Sequence, residues 1–365
     1  MQKYPLLLRS TIRLAFLFLI VAALILTRTL LVPLFLSVML SYLLYPYAEW
    51  LERKKVPRII TNLTVILGFM IFVGAVVYGM IALASAFTEN LSEIRNQVES
   101  NVRNIRDSLA AVTGFSLGSI ESLIESVGET GEYVAQAFTA TTNTLLSVGL
   151  LPVYTFLLLF YRDKFRDFIS MLIPSEQEEV AQDIIDQASE VVPRYLKGLV
   201  IVCFILFGLN SLGFYLIGVE YALLFGLIAA LFNLIPYLGT ILGYGVVLIL
   251  VLGTQGPALA LGVLIQFFIV QFLENNILTP NITGSYVQIN PLVIIFSLIA
   301  AGMIWGLPGM LIIIPYLGLF KIVCENVDNL KPIGFLLGTK GTERHSVTVK
   351  SIQKRFGWLE EEDQA

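Results

Sequence analysis

The side chains of this sequence that could do chemistry are few, and they stand where charge is otherwise missing. From residue 198 to residue 320 the only charged residues are Glu220 and Glu274. Around the second lies the most polar patch of that apolar half: Gln266, Gln271, Glu274, Asn275 and Asn276. On a helix, Gln271, Glu274 and Asn275 share a face, because steps of three and four residues bring side chains together. A carboxylate inside hydrocarbon is costly, so by default it marks a functional position. Such a group can take up and release a proton as a protein alternates between two faces. Gln271 and Asn275 can hydrogen-bond either protonation state, or a polar solute. Gln266 and Asn233 complete the candidate path. The plainer alternative places Glu274 at a helix end wetted by headgroups, with no further role.

Enzyme chemistry has no comparable footing. The one histidine, His345, lies in the C-terminal tail, which rules out a histidine-rich metal centre and a membrane-buried Ser-His-Asp triad. Gly114-Phe115-Ser116-Leu117-Gly118 matches a nucleophile-elbow pattern, but that pattern needs a strand-to-helix turn and a nearby base. No Walker loop or His-Glu-x-x-His occurs. Cys203 and Cys324 make neither a disulfide framework nor a CxxC site. The expectation is no enzyme, no cofactor and no metal; without an ATP site, transport would run on a gradient.

These side chains must be positioned by helices in lipid. Hydrophobic residues make up 56% of the chain and charged residues 14%, against about 25% charged in a soluble domain; mean hydropathy is +0.81. The fold class read from this is all-α, a polytopic integral membrane protein with about eight hydrophobic helical segments. A span needs about 20 mostly apolar residues. Candidates are Ile12–Leu26, Leu30–Tyr47, Ile59–Ala86, Val134–Tyr161 and Gly198–Gly218. The first follows Lys3, Arg9 and Arg13 like a signal peptide, but no small-residue cleavage site follows it. Placing the N-terminus in the cytoplasm puts 19 of the 23 Lys and Arg residues inside, as the positive-inside rule requires. Both termini are then cytoplasmic. A net charge of −4 gives nucleic acid no footing.

The organisation expected is three spans in 1–86, an external helical segment in 87–133, a fourth span and its cytoplasmic end in 134–174, a cytoplasmic helix in 175–193, a transport core in 194–338 and a polar tail in 339–365. The external segment carries an apolar stripe, Leu91, Ile94, Val98, Val102, Ile105 and Leu109, at helical spacing. It could cap the spans or contact another subunit. Ser175 with Glu178 forms a capping box, and Pro193 marks the expected end of that helix.

The core contains an internal echo. Phe225-Gly226-Leu227 leads to Ile235-Pro236-Tyr237-Leu238-Gly239, and Trp305-Gly306-Leu307 leads to Ile314-Pro315-Tyr316-Leu317-Gly318. Proline removes a donor and crowds the preceding turn, and paired interrupted segments point to a transporter's binding site. Expected helix breaks are Pro236, Tyr237, Gly239, Gly243, Pro280, Gly284, Pro291, Gly306 and Pro315. Gly239 and Gly243 also form a small-xxx-small pair that would let helices approach. Two arrangements fit: re-entrant hairpins at 221–253 and 291–320 with six full spans, or eight spans. They differ in the side on which Ser285 lies.

The chain resembles the autoinducer-2 exporter family. The resemblance rests on Tyr195-Leu196-Lys197-Gly198, Ile235-Pro236-Tyr237-Leu238-Gly239 with Gly243, Glu274-Asn275, then Pro280, Gly284, Val287 and Pro291, and finally Gly302, Gly306, Gly309 and Pro315. Leu199, Asn281 and Asn290 depart from the family's usual residues. The resemblance implies a transporter or exporter of a small polar organic solute in the plasma (inner) membrane, assembled as a homo-oligomer. The alternative within the same class is a sodium–proton antiporter, with a coupling proton or sodium ion; outside it, a membrane scaffold that transports nothing. The expected partners are thus a small-molecule solute, a coupling ion, membrane lipid and further copies of the chain.

Overall fold

A computed structural model describes residues 6–89, 96–97, 100–101, 149–172, 178–236, 238–283 and 288–339. The external stripe, Ser175, most of 134–149 and the tail beyond 339 lie outside the described residues. What is described is helical, apart from an isolated bridge between Ile289 and Gly338. Six of its helices are long and apolar enough to cross a membrane.

The first part is built from α1 (Leu6–Leu26), α2 (Arg28–Arg53), α3 (Arg58–Glu89) and α4 (Leu150–Phe160). Thr27 alone separates α1 from α2. Leu40, Leu44, Ile66 and Leu159 lock α2, α3 and α4 together. The Ser37 hydroxyl reaches both the Pro33 carbonyl of its own helix (2.6 Å) and Leu151 of α4 (3.0 Å). The apolar α4 gives way, one residue on, to the charged α5 (Arg162–Leu172). Arg162 of α5 pairs with Glu52, and Arg58 with Asp163 at 2.7 Å, so the ends of α2, α3, α4 and α5 meet in one ion-pair cluster.

The second part starts with α6, Glu178–Ile217. It runs straight through Pro193, which therefore ends no helix. A proline inside a helix costs about 3 kcal/mol. Val192 and Leu196 are buried on either side of it, and burying each stabilises by about 1.5–3 kcal/mol, enough to hold the helix continuous.

Both interrupted regions fold back on themselves. In the first, α7 (Ala222–Phe232) and α8 (Leu238–Gln255) are joined by the break at 233–237. Leu224, Phe225 and Ile228 of α7 pack with Tyr244, Val247 and Val251 of α8, so the arms run side by side. Their far ends are tied by the Glu220 amide, which donates to the Gln255 side chain at 2.9 Å. After Gly256, α9 (Pro257–Leu273) continues into a π-helical stretch, Glu274–Thr283. In the second region, α10 spans Pro291–Asn326 but contains Gly306 at φ 64°, ψ −146°. Leu298 and Ile314 pack in one cluster, although 16 residues of straight helix would hold them about 24 Å apart. Gly306 is therefore the apex of a hairpin. Its base is closed by the Asn290 amide, which donates to the Leu337 carbonyl of α11 (Lys331–Leu337) at 2.7 Å.

Of the two arrangements the sequence allows, the fold-back is that of the hairpins, with three corrections. Pro315 does not break its helix; the break falls at Gly306, the other position expected in that copy. Proline needs only a lost donor, whereas a reversal needs backbone angles that favour glycine. Gly239 and Gly243 sit inside α8 rather than at a break. They are contact points: a Cβ on Gly239 would lie 1.7 Å from the Phe232 carbonyl oxygen, and one on Gly243 2.9 Å from the Phe232 Cβ. The α8 arm also runs on to Gln255, two residues past the 221–253 expected for this hairpin.

Candidate functional site

The break in the first hairpin positions the polar centre. Asn233 closes the C-terminal end of α7, and its side chain faces two neighbours. The Thr240 hydroxyl, from the first turn of α8, donates to Asn233 Oδ1 at 2.7 Å. With its carbonyl engaged, the Asn233 amide donates through Nδ2 to Glu274 Oε1, also at 2.7 Å. Glu274 is 9% exposed and opens the π-helical stretch, a geometry found often at functional sites. Among the described residues no cation pairs with it, and none is available in the chain between 198 and 320. The carboxylate also lies beside the negative end of the α7 dipole, which disfavours an anion. The centre is thus short of positive charge: among the described residues one amide is the only donor on that oxygen.

A second polar cluster sits on the same helices. Tyr244, one turn beyond Thr240 on α8, donates to Asn210 Oδ1 of α6. Gln266 of α9 donates to the Asn210 carbonyl at 3.0 Å. Its amide lies flat on Gly213, where any Cβ would come within 2.4 Å of it. Gln266 is 6% exposed and its Oε1 has no partner among the described residues.

Glu274 and Asn233 thus come together, and Gln266 stands apart with Asn210. Gln271 and Asn275 pair with each other at 3.1 Å on the outer side of the helix. The shared face expected for Gln271, Glu274 and Asn275 is divided, because positions 274 and 275 differ by about 100° around a helix and the packing edge falls between them. Asn276 and Asn281 turn back to carbonyls four residues earlier, Phe272 and Ile277. Among the expected breaks, Pro236 lies in the α7–α8 interruption, Pro280 inside the π-helical stretch and Pro291 at the start of α10. Tyr237 and Gly284 lie outside the described residues. Thr240, Tyr244 and Asn210 escape a reading of the sequence because each is an isolated polar group in an apolar helix. Helical spacing from Asn233 and Gln266 is the signal that could have found them. A surface cleft of 390 Å³ between α2 and α6 is lined by Glu49, Asp186, Glu190 and Arg194, but those carboxylates are already paired with arginines. Among the described residues no group of His, Cys, Asp and Glu could hold a metal ion.

Helices long enough to cross a membrane, two reversed helical pairs and a buried polar centre at the break of the first define a polytopic membrane protein. Residues 14–329 match the sequence model of the AI-2E family transporters, and the chain belongs to that family. Its relatives include YrrI of Bacillus subtilis (strain 168), 27% identical over 315 residues that cover 81% of this chain and 86% of the relative. YueF of the same organism is 26% identical over 319 residues, 83% of this chain and 85% of its own. The AI-2 transport protein TqsA of Escherichia coli (strain K12) is 26% identical over 342 residues, 92% of this chain and 97% of its own.

Proposed function

We propose that this membrane transporter moves a small polar organic solute, driven by a gradient, along a path that passes Glu274, Asn233 and Thr240 at the break of the first hairpin. Gln266 lies on the inner continuation of that path, and Gln271 with Asn275 at its outer edge. The observation that carries the proposal is the buried Glu274, held among the described residues by a single amide and without a cationic partner there. The name of the Escherichia coli relative makes an AI-2 signal the first solute to test. We place the protein in the inner membrane with both termini cytoplasmic, as a homo-oligomer.

A second reading, a sodium–proton antiporter, is favoured by the same missing counter-charge: a buried carboxylate beside the negative end of a helix dipole invites a cation or a proton. Flux in proteoliposomes tests both. Glu274→Gln keeps the shape and a carbonyl acceptor for Asn233 but removes titration, and is expected to lower ion-coupled flux about tenfold, equivalent to about 1.4 kcal/mol. Loss of pH dependence with solute affinity intact identifies ion coupling; a change of affinity with the pH profile intact identifies solute binding. Glu274→Gln vesicles with normal rate, affinity and pH profile would remove the residue from the path. Absence of any flux across a solute panel would leave a scaffold.

A further inference from the structure

The helix α5 has no part in the path, yet it has a face that nothing in the described structure covers. Phe165, Phe168 and Ile169 are 48%, 56% and 44% exposed, and spacing at three and four residues aligns them along one stripe. Asp163, Lys164, Arg166 and Asp167 occupy the other side. An exposed stripe alone does not say what covers it; its location does. α5 begins one residue after the apolar α4 ends, so it starts where the hydrocarbon stops.

The same end of the bundle carries exposed amphipathic aromatics, Tyr47, Trp50 and Tyr161. Each lies under a lysine: Lys197 is 5.8 Å from the Tyr47 ring centroid, Lys54 3.5 Å from Trp50 and Lys164 6.0 Å from Tyr161. Aromatic rings at the headgroup level and basic side chains beside them mark a membrane–water interface. α5 leaves the bundle within this belt. Among the described residues its polar side is tied down, through Arg162 to Glu52, Asp163 to Arg58 and Arg166 to Asp186 at 3.7 Å, and its apolar side is not.

We propose that α5 lies in the plane of the membrane surface, with Phe165, Phe168 and Ile169 among the upper acyl carbons of an anionic phospholipid leaflet and Lys164 and Lys54 at its phosphates. An amphipathic helix in this position buries its apolar face about 5–10 Å below the headgroups. The occupant of the face is lipid, rather than a second protein surface.

The full chain, reconstituted in vesicles of phosphatidylglycerol and phosphatidylcholine brominated near the carbonyl end of the acyl chain, tests this. The emission added by Phe168→Trp, relative to the unsubstituted chain, is expected to fall by about half or more at such shallow depth. Asp167→Trp, on the opposite side, should keep its emission. Replacing the phosphatidylglycerol by phosphatidylcholine should weaken quenching of the Phe168→Trp emission. Blue-shifted but unquenched Phe168→Trp emission would mean that protein covers the face, and red-shifted unquenched emission that water does; either result overturns the proposal. Equal quenching at both positions would overturn it as well, because the helix would then not lie with one side in lipid.

Discussion

Asn233 can point its amide at Glu274 only while something holds its carbonyl the other way, and that something is the Thr240 hydroxyl. Thr240→Val keeps the shape and removes the donor. A hydrogen bond between helices in a membrane is worth about 0.6 kcal/mol on average, so the variant should still insert and fold. Its effect should fall on function: a several-fold loss of flux in proteoliposomes, while Asn276→Ala, whose side chain only reaches back to its own helix, leaves flux unchanged. Equal effects from the two variants would show that the Thr240–Asn233–Glu274 order has no functional weight. Glu274 was legible in the sequence because a lone charge in a long uncharged stretch has few ordinary explanations. Thr240 was not, because a threonine in a helix commonly satisfies its hydroxyl on its own backbone, and only the fold shows that this one does not.

The reversals are set by glycines of two kinds, which the elements use differently. Gly306 has open space around it but a backbone conformation that L side chains rarely adopt. Gly239 is helical but has the Phe232 carbonyl oxygen where a Cβ would stand. Gly306→Ala is expected to cost about 1–3 kcal/mol through backbone strain, and Gly239→Ala to separate α8 from the end of α7. Gly68, in the middle of α3, has neither constraint; alanine there should be neutral or stabilise by up to about 1 kcal/mol. Thermal unfolding in detergent should rank the three accordingly, with only Gly306→Ala and Gly239→Ala lowering the midpoint. The repeated Ile-Pro-Tyr-Leu-Gly marks two interrupted segments in the sequence. Of the two breaks expected in the second copy, Gly306 is one and Pro315 is not, because the reversal follows backbone angles, which Gly306 accepts and Pro315 does not. Length misled as well: Pro193 looks like a stop until the buried residues on both sides of it are known.

Across the whole molecule the two hairpins enter from opposite ends. The first has its base at Glu220 and Gln255, while its apex residue Ile235 packs with Ile289, at the base of the second. The apex of the second reaches the end of α1, where the Trp305 indole donates to the Leu24 carbonyl at 2.9 Å. Tyr195 joins the Ile235–Ile289 cluster, and Lys197 beside it belongs to the belt around Tyr47, so Gln288 and Lys54 should share one side of the membrane and Glu220 face the other. An impermeant thiol reagent applied to sealed vesicles of known orientation should label Gln288→Cys and Lys54→Cys together, above the unsubstituted chain, and Glu220→Cys only from the opposite side. Gln288→Cys reacting alongside Glu220→Cys would instead support eight simple crossings. The basic-residue count gives an orientation that the same labelling tests; the direction of each hairpin was beyond it, because the first contains no charge and the second only Lys321 and Glu325 at the end of its last arm. The closure of the second hairpin also orders events in time. Its base is fastened by Leu337 and Gly338, which a ribosome delivers only after both arms have been made. Until then Asn290 and Ile289 lack these backbone partners, and a message cut short before α11 would yield a protein with every long apolar helix present and the base of its last hairpin left unlatched.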